Sequence, residues 1–348
     1  MEPRAFCSQS NVVIVAGKGG VGKTTVAAAL AVTAARAGLS TLLVDVESTG
    51  SLAALFGRPG RLGYEPTVLS PTRRARAEIT GRSISADDAL VEYLDGHGLR
   101  RISKRMATTG TLELVATAVP GIKDVLVLGK IKQLEQADPA PELIVVDAPA
   151  AGHAVAFLAT PRGMLDAIGV GPIRTQSADA LALLTDPSRC QVLLVTLPEE
   201  TPVNEVVETA YHLEDRAGVK LAPVVVNGLL TPLELPEDAA AAATEAGAHL
   251  DRDAAEALGA AAAFRRRRQQ LQEAQVERLA GELPLPQLHL PLLWASALGP
   301  AELESLADSL ERALGLLPGG HLGGNGPAGG AVADLSSTGR SLPGPGRA

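Results

Sequence analysis

Gly17-Lys18-Gly19-Gly20-Val21-Gly22-Lys23-Thr24-Thr25 fits the phosphate-loop pattern G-x-x-x-x-G-K-[ST] without a mismatch. An apolar run, Asn11-Val12-Val13-Ile14-Val15-Ala16, precedes it and reads as a buried strand. An alanine-rich run, Val26 to Ala37, follows and reads as a helix, with Gly38 at its C′ position. Glycines let such a loop curl so that several N–H groups point inward. The helix N-terminus adds its positive end. Lys23 is placed to reach the β- and γ-phosphates of a nucleotide, and the Thr24 hydroxyl to ligate Mg²⁺. An ordinary glycine-rich turn would not combine strand, helix, lysine and hydroxyl at this spacing.

Working outward, Thr41 to Val46 reads as a second strand that ends in acids, Asp45 and then Glu47. Ligands in an open α/β sheet sit at the carboxyl ends of the strands, so both carboxylates are expected to face the loop. Glu142 to Asp147 is a further apolar strand ending in an acid, a Walker B pattern in which Asp147 holds Mg²⁺ through a water. The small-residue stretch Ala148 to His153 reads as a loop able to move when a γ-phosphate is lost. Later strands are expected at Cys190–Thr196, Leu221–Asn227 and Leu285–Leu290. Thr201 and Pro202 open a helix as N-cap and N1, and Gly218 closes it. Asn227 falls at the ligand edge, where its amide can both donate to and accept from an adenine, although Asn-Gly is also a turn signal.

Strands alternate with helices, which predicts an α/β P-loop NTPase fold: a mostly parallel sheet of about seven to eight strands, helices on both faces and a helical insertion. The expected organisation is a loose tail at residues 1–10, an ATPase domain at 11–316 with the insertion at about 57–136, and a disordered Gly/Pro-rich tail at 317–348. Within the insertion, Ser85 and Asp88 have capping-box spacing, Leu99 to Met106 is basic, and Thr111–Ala116 is strand-compatible.

The totals bound the function. The chain has 348 residues, with 46% hydrophobic residues but only 2% aromatic ones, so the core is built from Ala, Val and Leu. A net charge of −8 argues against general nucleic-acid binding, and Arg265–Arg268 reads as a solvated helix surface. No run reaches the roughly 18 apolar residues of a membrane span, and there is no signal-peptide pattern, so a cytoplasmic protein is expected. The two cysteines, Cys7 and Cys190, match no metal spacing.

Lys18, directly after the first glycine, narrows the reading. A lysine there resembles the deviant Walker A group of ParA, MinD, the nitrogenase iron protein and ArsA, and the whole chain from about residue 10 to 316 resembles the ArsA family, including the ATPases that target tail-anchored membrane proteins. It is most similar to actinobacterial ArsA-like ATPases. Asp147-Ala148-Pro149-Ala150-Ala151-Gly152-His153 is similar to the family's switch II, D-T-A-P-T-G-H, which makes Gly152 and His153 switch residues. Pro120-Gly121-Ile122-Lys123-Asp124 resembles its P-G-x-x-E segment. Asn227 matches the asparagine that holds adenine, and Leu290-Pro291-Leu292-Leu293 resembles the late loop beside the base.

The resemblance implies a dimer in which Lys18 reaches the partner's nucleotide, either a homodimer or a heterodimer with a paralogous subunit. It also implies ATP hydrolysis coupled to a membrane-protein client or a transport partner. Switch I departs from the family's D-P-A-H-x-L: Glu47 stands where the water-orienting aspartate is expected, and Asp45 matches the earlier acid of ParA-like relatives. A glutamate is a competent base but one methylene longer, which predicts slow or partner-dependent hydrolysis. The missing cysteine cluster argues against arsenite as cargo and against a zinc-clamped homodimer. Two alternatives stand beside the ATPase switch: a weakly active binding subunit of a heterodimer, and a ParA-like positioning ATPase.

Overall fold

In a computed structural model, the structure describes residues 1–46, 50–69, 74–96 and 121–318. Eight strands form one sheet: β1 Val12–Gly17, β2 Thr41–Asp45, β3 Thr67–Val68, β4 Ile79–Ser83, β5 Leu143–Ala150, β6 Cys190–Thr196, β7 Val224–Leu229 and β8 Gln287–Pro291. Their order is β3-β4-β2-β5-β1-β6-β7-β8. Among the described residues only the β3–β4 pair is antiparallel. The apolar runs fill the middle strands because a parallel sheet is covered on both faces. All of β1 and β2 is buried.

Alternation along β1 divides the core. Val13 and Val15 pack into the layer that holds the helix Lys23–Arg36, whereas Val12, Ile14 and Ala16 pack into the opposite layer. The helix Lys23–Arg36 is buried on nearly every side, since the C-terminal helix Pro300–Leu316 covers its outer face. Alanine side chains allow both neighbours to approach that closely. Its end is a Schellman motif: Gly38, at φ +84°, donates to Ala35 O at 3.1 Å, and Leu39 donates to Ala34 O at 3.0 Å. The Arg36 side chain in the last turn is only 6% exposed and pairs with Glu304, Asp308 and Glu311, all on one face of Pro300–Leu316.

The opposite layer carries the helices Ile122–Glu135, Ala151–Ala167, Pro172–Thr185 and Glu200–His212, the last extended by a π-helical turn, Leu213–Ala217, that ends at Gly218 with φ +68°. The long helix Arg252–Glu282 connects β7 to β8 and joins this layer through Leu279.

Four expectations are corrected. Residues 1–10 are no loose tail. They form the helix Pro3–Cys7, with Phe6 and Cys7 buried and Arg4 donating to Ala37 O at 2.8 Å. The first part of residues 57–136 is sheet rather than helical insertion, because β4 pairs in parallel with β2. Its sequence, Ile79-Thr80-Gly81-Arg82-Ser83, hides the strand. Gly81 is there because a Cβ would lie 2.8 Å from Leu69 Cδ1, and buried Arg82 stacks 4.5 Å over the Tyr64 ring.

The helix expected to start at Thr201 and Pro202 starts at Glu200, with Glu199 as N-cap. First-turn N–H groups lack helical partners anyway, so proline is tolerated at the third position too. Finally, Ala148–His153 is not a loop: β5 runs through Ala150 and the helix Ala151–Ala167 begins at once. The expected pieces at 99–106 and 111–116, and the tail beyond 318, lie outside the described residues.

Candidate nucleotide site

The loop is built by close backbone approach. Gly17 ends β1 against β6, where a Cβ would sit 2.3 Å from Val195 O. Gly22, the helix N-cap, has φ +95°, and a Cβ there would sit 2.4 Å from Asn227 Nδ2. A side chain at either position would open the loop. Gly19 and Gly20 are exposed at the tip, while Val21 is buried and anchors it. The helix begins at Lys23, so the amides of Lys23, Thr24 and Thr25 point from its positive end. Lys23 Nζ arches back to Lys18 O at 3.3 Å.

Below the loop, Thr24 Oγ1 donates to Asp147 Oδ2 at 2.6 Å. Asp147 on β5 is in register with Asp45 on β2. Both residues are buried, at 7% and 2% exposure. Adjacent parallel strands lie about 4.8 Å apart, so the two acids stand side by side at one edge. Asp45 is fixed from its other side, where Ser83 Oγ donates to its carbonyl at 3.1 Å. A hydroxyl and two carboxylates form an all-oxygen set, the chemistry that suits a hard divalent cation keeping several waters. Glu47 lies outside the described residues.

On the side of the loop away from β5, the carboxyl edge of the sheet continues through β7 and β8. Asn227 Nδ2 donates to Val21 O at 2.9 Å and so ties β7 to the loop. Pro291 ends β8 opposite Leu229, and Leu292 then donates to Leu229 O at 2.7 Å. The site residues named from sequence, Gly17 through Thr25, Asp45, Asp147, Asn227 and Pro291, therefore meet at the carboxyl edges of β1, β2, β5, β7 and β8.

Gly152 and His153 are exposed in the first turn of Ala151–Ala167, just after Ala150, which pairs with Gly17 at the start of the phosphate loop. Two turns further along, Thr160 Oγ1 donates to Asp124 Oδ2 at 3.0 Å, in the first turn of Ile122–Glu135. Burial holds the Asp124 carboxyl above its ordinary pKa, against the opposing pull of Thr160 and His153.

Two residues escape a reading of the sequence. Glu205, on Glu200–His212, accepts from Lys18 Nζ at 2.6 Å. Gln272, on Arg252–Glu282, is buried and bonds the backbone just after Asn227. Glu205 carried a weak signal, an acid one turn into a helix that leaves the ligand edge. Gln272 carried none, sitting in a run of glutamines and arginines.

The family described as anion-transporting ATPase, ArsA type, matches residues 10–170. The ATPase BagA of Mycobacterium tuberculosis is 35% identical over 236 residues, covering 66% of this chain and 68% of that protein. The chain belongs to the ArsA ATPase family. Two more distant members are ATPase GET3B of Arabidopsis thaliana, 25% identical over 63% of this chain and 64% of its own length, and the arsenical pump-driving ATPase of Acidiphilium multivorum, 27% identical over 65% and 41%.

As an ArsA-family ATPase the protein binds ATP and hydrolyses it. Its two thiols lie in opposite layers, Cys7 beside the helix Lys23–Arg36 and Cys190 on the far face of the sheet. Burial pushes both up to about 12, so neither is a thiolate near neutrality. Among the described residues no helix is long and apolar enough to cross a membrane.

Proposed function

We propose that the protein is a Mg²⁺-dependent ATP switch that works as a dimer, homodimeric or paired with a paralogous subunit, and handles a membrane-protein client or a transport partner from the cytoplasm. The observation that carries this reading is the Thr24–Asp147 hydrogen bond directly under the phosphate loop. In Mg²⁺-dependent phosphoryl transfer the loop hydroxyl and the Walker B acid are the two protein groups beside the ion. Bound there, Mg²⁺ supplies charge neutralisation of the phosphates. Lys23 and the helix N-terminus hold the transferred phosphate, Glu47 orients the attacking water, and Asp45 is the second acid beside Asp147. Lys18 leaves Glu205 to reach a partner's nucleotide. Gly152 and His153 sense the γ-phosphate at the start of Ala151–Ala167, and Thr160–Asp124 relays the shift to the insertion helix Ile122–Glu135, where a client would be held.

The test is turnover. Lys23→Ala should abolish ATP hydrolysis in a chain that still melts cooperatively, and retained turnover overturns the assignment. A nucleic-acid partner is not part of this proposal. Within the basic run, Arg265 donates to Thr231 O, Arg266 to Pro236 O, and Arg268 pairs with Glu199, so most of the run is spent on the chain's own loops.

A second reading, a weakly active binding subunit of a heterodimer, is favoured by the longer acid at Glu47. Turnover of the isolated chain below that of a reconstituted pair would support it.

A further inference from the structure

The β7–β8 ladder breaks where the base end of the site begins. Val226 pairs with His289 and Leu229 with Pro291, and the register shifts between them, at Asn227-Gly228. Gly228 has φ +75°, a left-handed conformation that a side chain would resist. Such a bulge re-aims a side chain, and here it turns the Asn227 amide onto Val21 O of the phosphate loop. It also takes backbone groups out of the ladder, and buried groups of that kind must find other partners.

Gln272 supplies them. Its Oε1 accepts from Leu230 N at 2.8 Å, and its Nε2 donates to Gly228 O at 3.2 Å. The side chain comes from a helix that is otherwise largely exposed, yet Gln272 itself is only 6% exposed. A single amide thus spans the bulge with a donor and an acceptor, a pairing that a hydrocarbon or a lone charge cannot make. Loop, Asn227, bulge and Gln272 form one connected hydrogen-bonded unit, from the phosphate end of the site to the crossover helix.

We propose that Gln272 is a positioning residue that sets base selectivity: it locks the Asn227-Gly228 bulge so that the asparagine amide is held for adenine. This rests on the reading of Asn227 as the adenine-facing residue. Gln272 touches no nucleotide, so its loss should change which base is preferred more than how fast phosphate is transferred.

The experiment uses the full-length chain with magnesium and measures displacement of a fluorescent ADP by ATP and by GTP, alongside kcat and KM for both. Gln272→Met keeps the volume and removes both bonds. It should lower the preference for ATP over GTP by about fivefold to tenfold, through KM, the scale expected when one connected network is cut. Gln272→Glu keeps the acceptor for Leu230 N and loses the donor, so it should fall between wild type and Gln272→Met. It also keeps the test open should the methionine variant fold poorly.

Asn227→Ala separates the two claims. If it lowers the preference and the Gln272 variants do not, the positioning role is overturned while the adenine reading stands. If Asn227→Ala leaves the preference unchanged, the adenine reading falls and the proposal with it. An equal drop in kcat for both nucleotides in Gln272→Met, at constant preference, would mark Gln272 as merely structural.

Discussion

Lys18 Nζ lies 2.6 Å from Glu205 Oε1 of the same chain, so the lysine that distinguishes this phosphate loop is engaged within its own subunit. Both side chains keep more than a third of their surface in water, at 40% and 37% exposure. An ion pair of that kind is worth about 0.2–1 kcal/mol, enough to bias a conformation and too little to lock it.

Glu205→Ala should therefore ease ATP-dependent dimerisation. The expected change is a drop in dimer dissociation constant of up to about fivefold, the equivalent of about 1 kcal/mol. Lys18→Ala should remove the ATP-dependent dimer altogether. Sedimentation with a non-hydrolysable ATP analogue measures both, and an unchanged dissociation constant in the Glu205 variant would show the pair to be inconsequential.

Thr24→Ala and Asp147→Asn should each cut kcat by roughly a hundredfold and raise the magnesium concentration needed for half-maximal turnover. The two changes fall on the two partners of one hydrogen bond, so the double variant should lose much less than the product of the single losses. Steady-state kinetics over a magnesium series would show it. Multiplying losses would mean that the residues act independently.

Arg36→Ala should destabilise the fold by about 3 kcal/mol, the low end for breaking a buried ion pair, because its three carboxylates stay partly in water. Equilibrium unfolding in urea would read the change. A loss under about 1 kcal/mol would show that neither the charge nor the stem of Arg36 holds the two helices together.

Acid should weaken the Glu135–Arg189 pair. The Arg189 guanidinium, 2.7 Å away, together with the Asn11 amide, holds the Glu135 carboxyl below its ordinary value of 4.5 despite burial. A depressed carboxyl contributes stability above its unfolded value and loses it as the pH falls through its folded value. Arg189→Leu should thus be less stable than wild type at pH 7, with the gap closing below about pH 4. Urea midpoints at pH 7, 4 and 3 test the sign, and a gap that persists in acid would count against it.

Trp294 offers a direct reporter. It is the only tryptophan in the chain, it is 83% exposed, and it follows Pro291, the residue proposed to lie beside the base. ATP analogue should shift or quench its fluorescence, and Trp294→Phe should abolish the signal. An invariant spectrum would place this loop away from the bound base.

The loop, its flanking strand and helix, and the acids at Asp45 and Asp147 were legible because each is written locally, as an apolar run closed by glycines or a carboxylate. What stayed hidden was written across distance. β4 reads as polar because its fit depends on residues remote in sequence: the Tyr64 ring stacks on Arg82, and Leu69 fills the space beside Gly81. The docking of residues 1–10 depends on helix ends that they meet only after folding. Gln272 could not be told from its neighbours, since a glutamine gains meaning here only from a bulge on another element. Glu205 is the intermediate case, a helix acid whose partner is fixed by topology alone.

The helix Lys23–Arg36 presents Thr24 at one end and is gripped at Arg36 by the last helix, Pro300–Leu316, at the other. At 1.5 Å per residue its two ends are roughly 20 Å apart, yet they belong to one rigid rod. During synthesis the phosphate loop therefore emerges early and the clasp that steadies it emerges late. A chain cut short before residue 300 would carry the whole motif and lack its support. Competence to turn over ATP thus depends on a helix made long after the loop, and products terminated before residue 300 should be left without it.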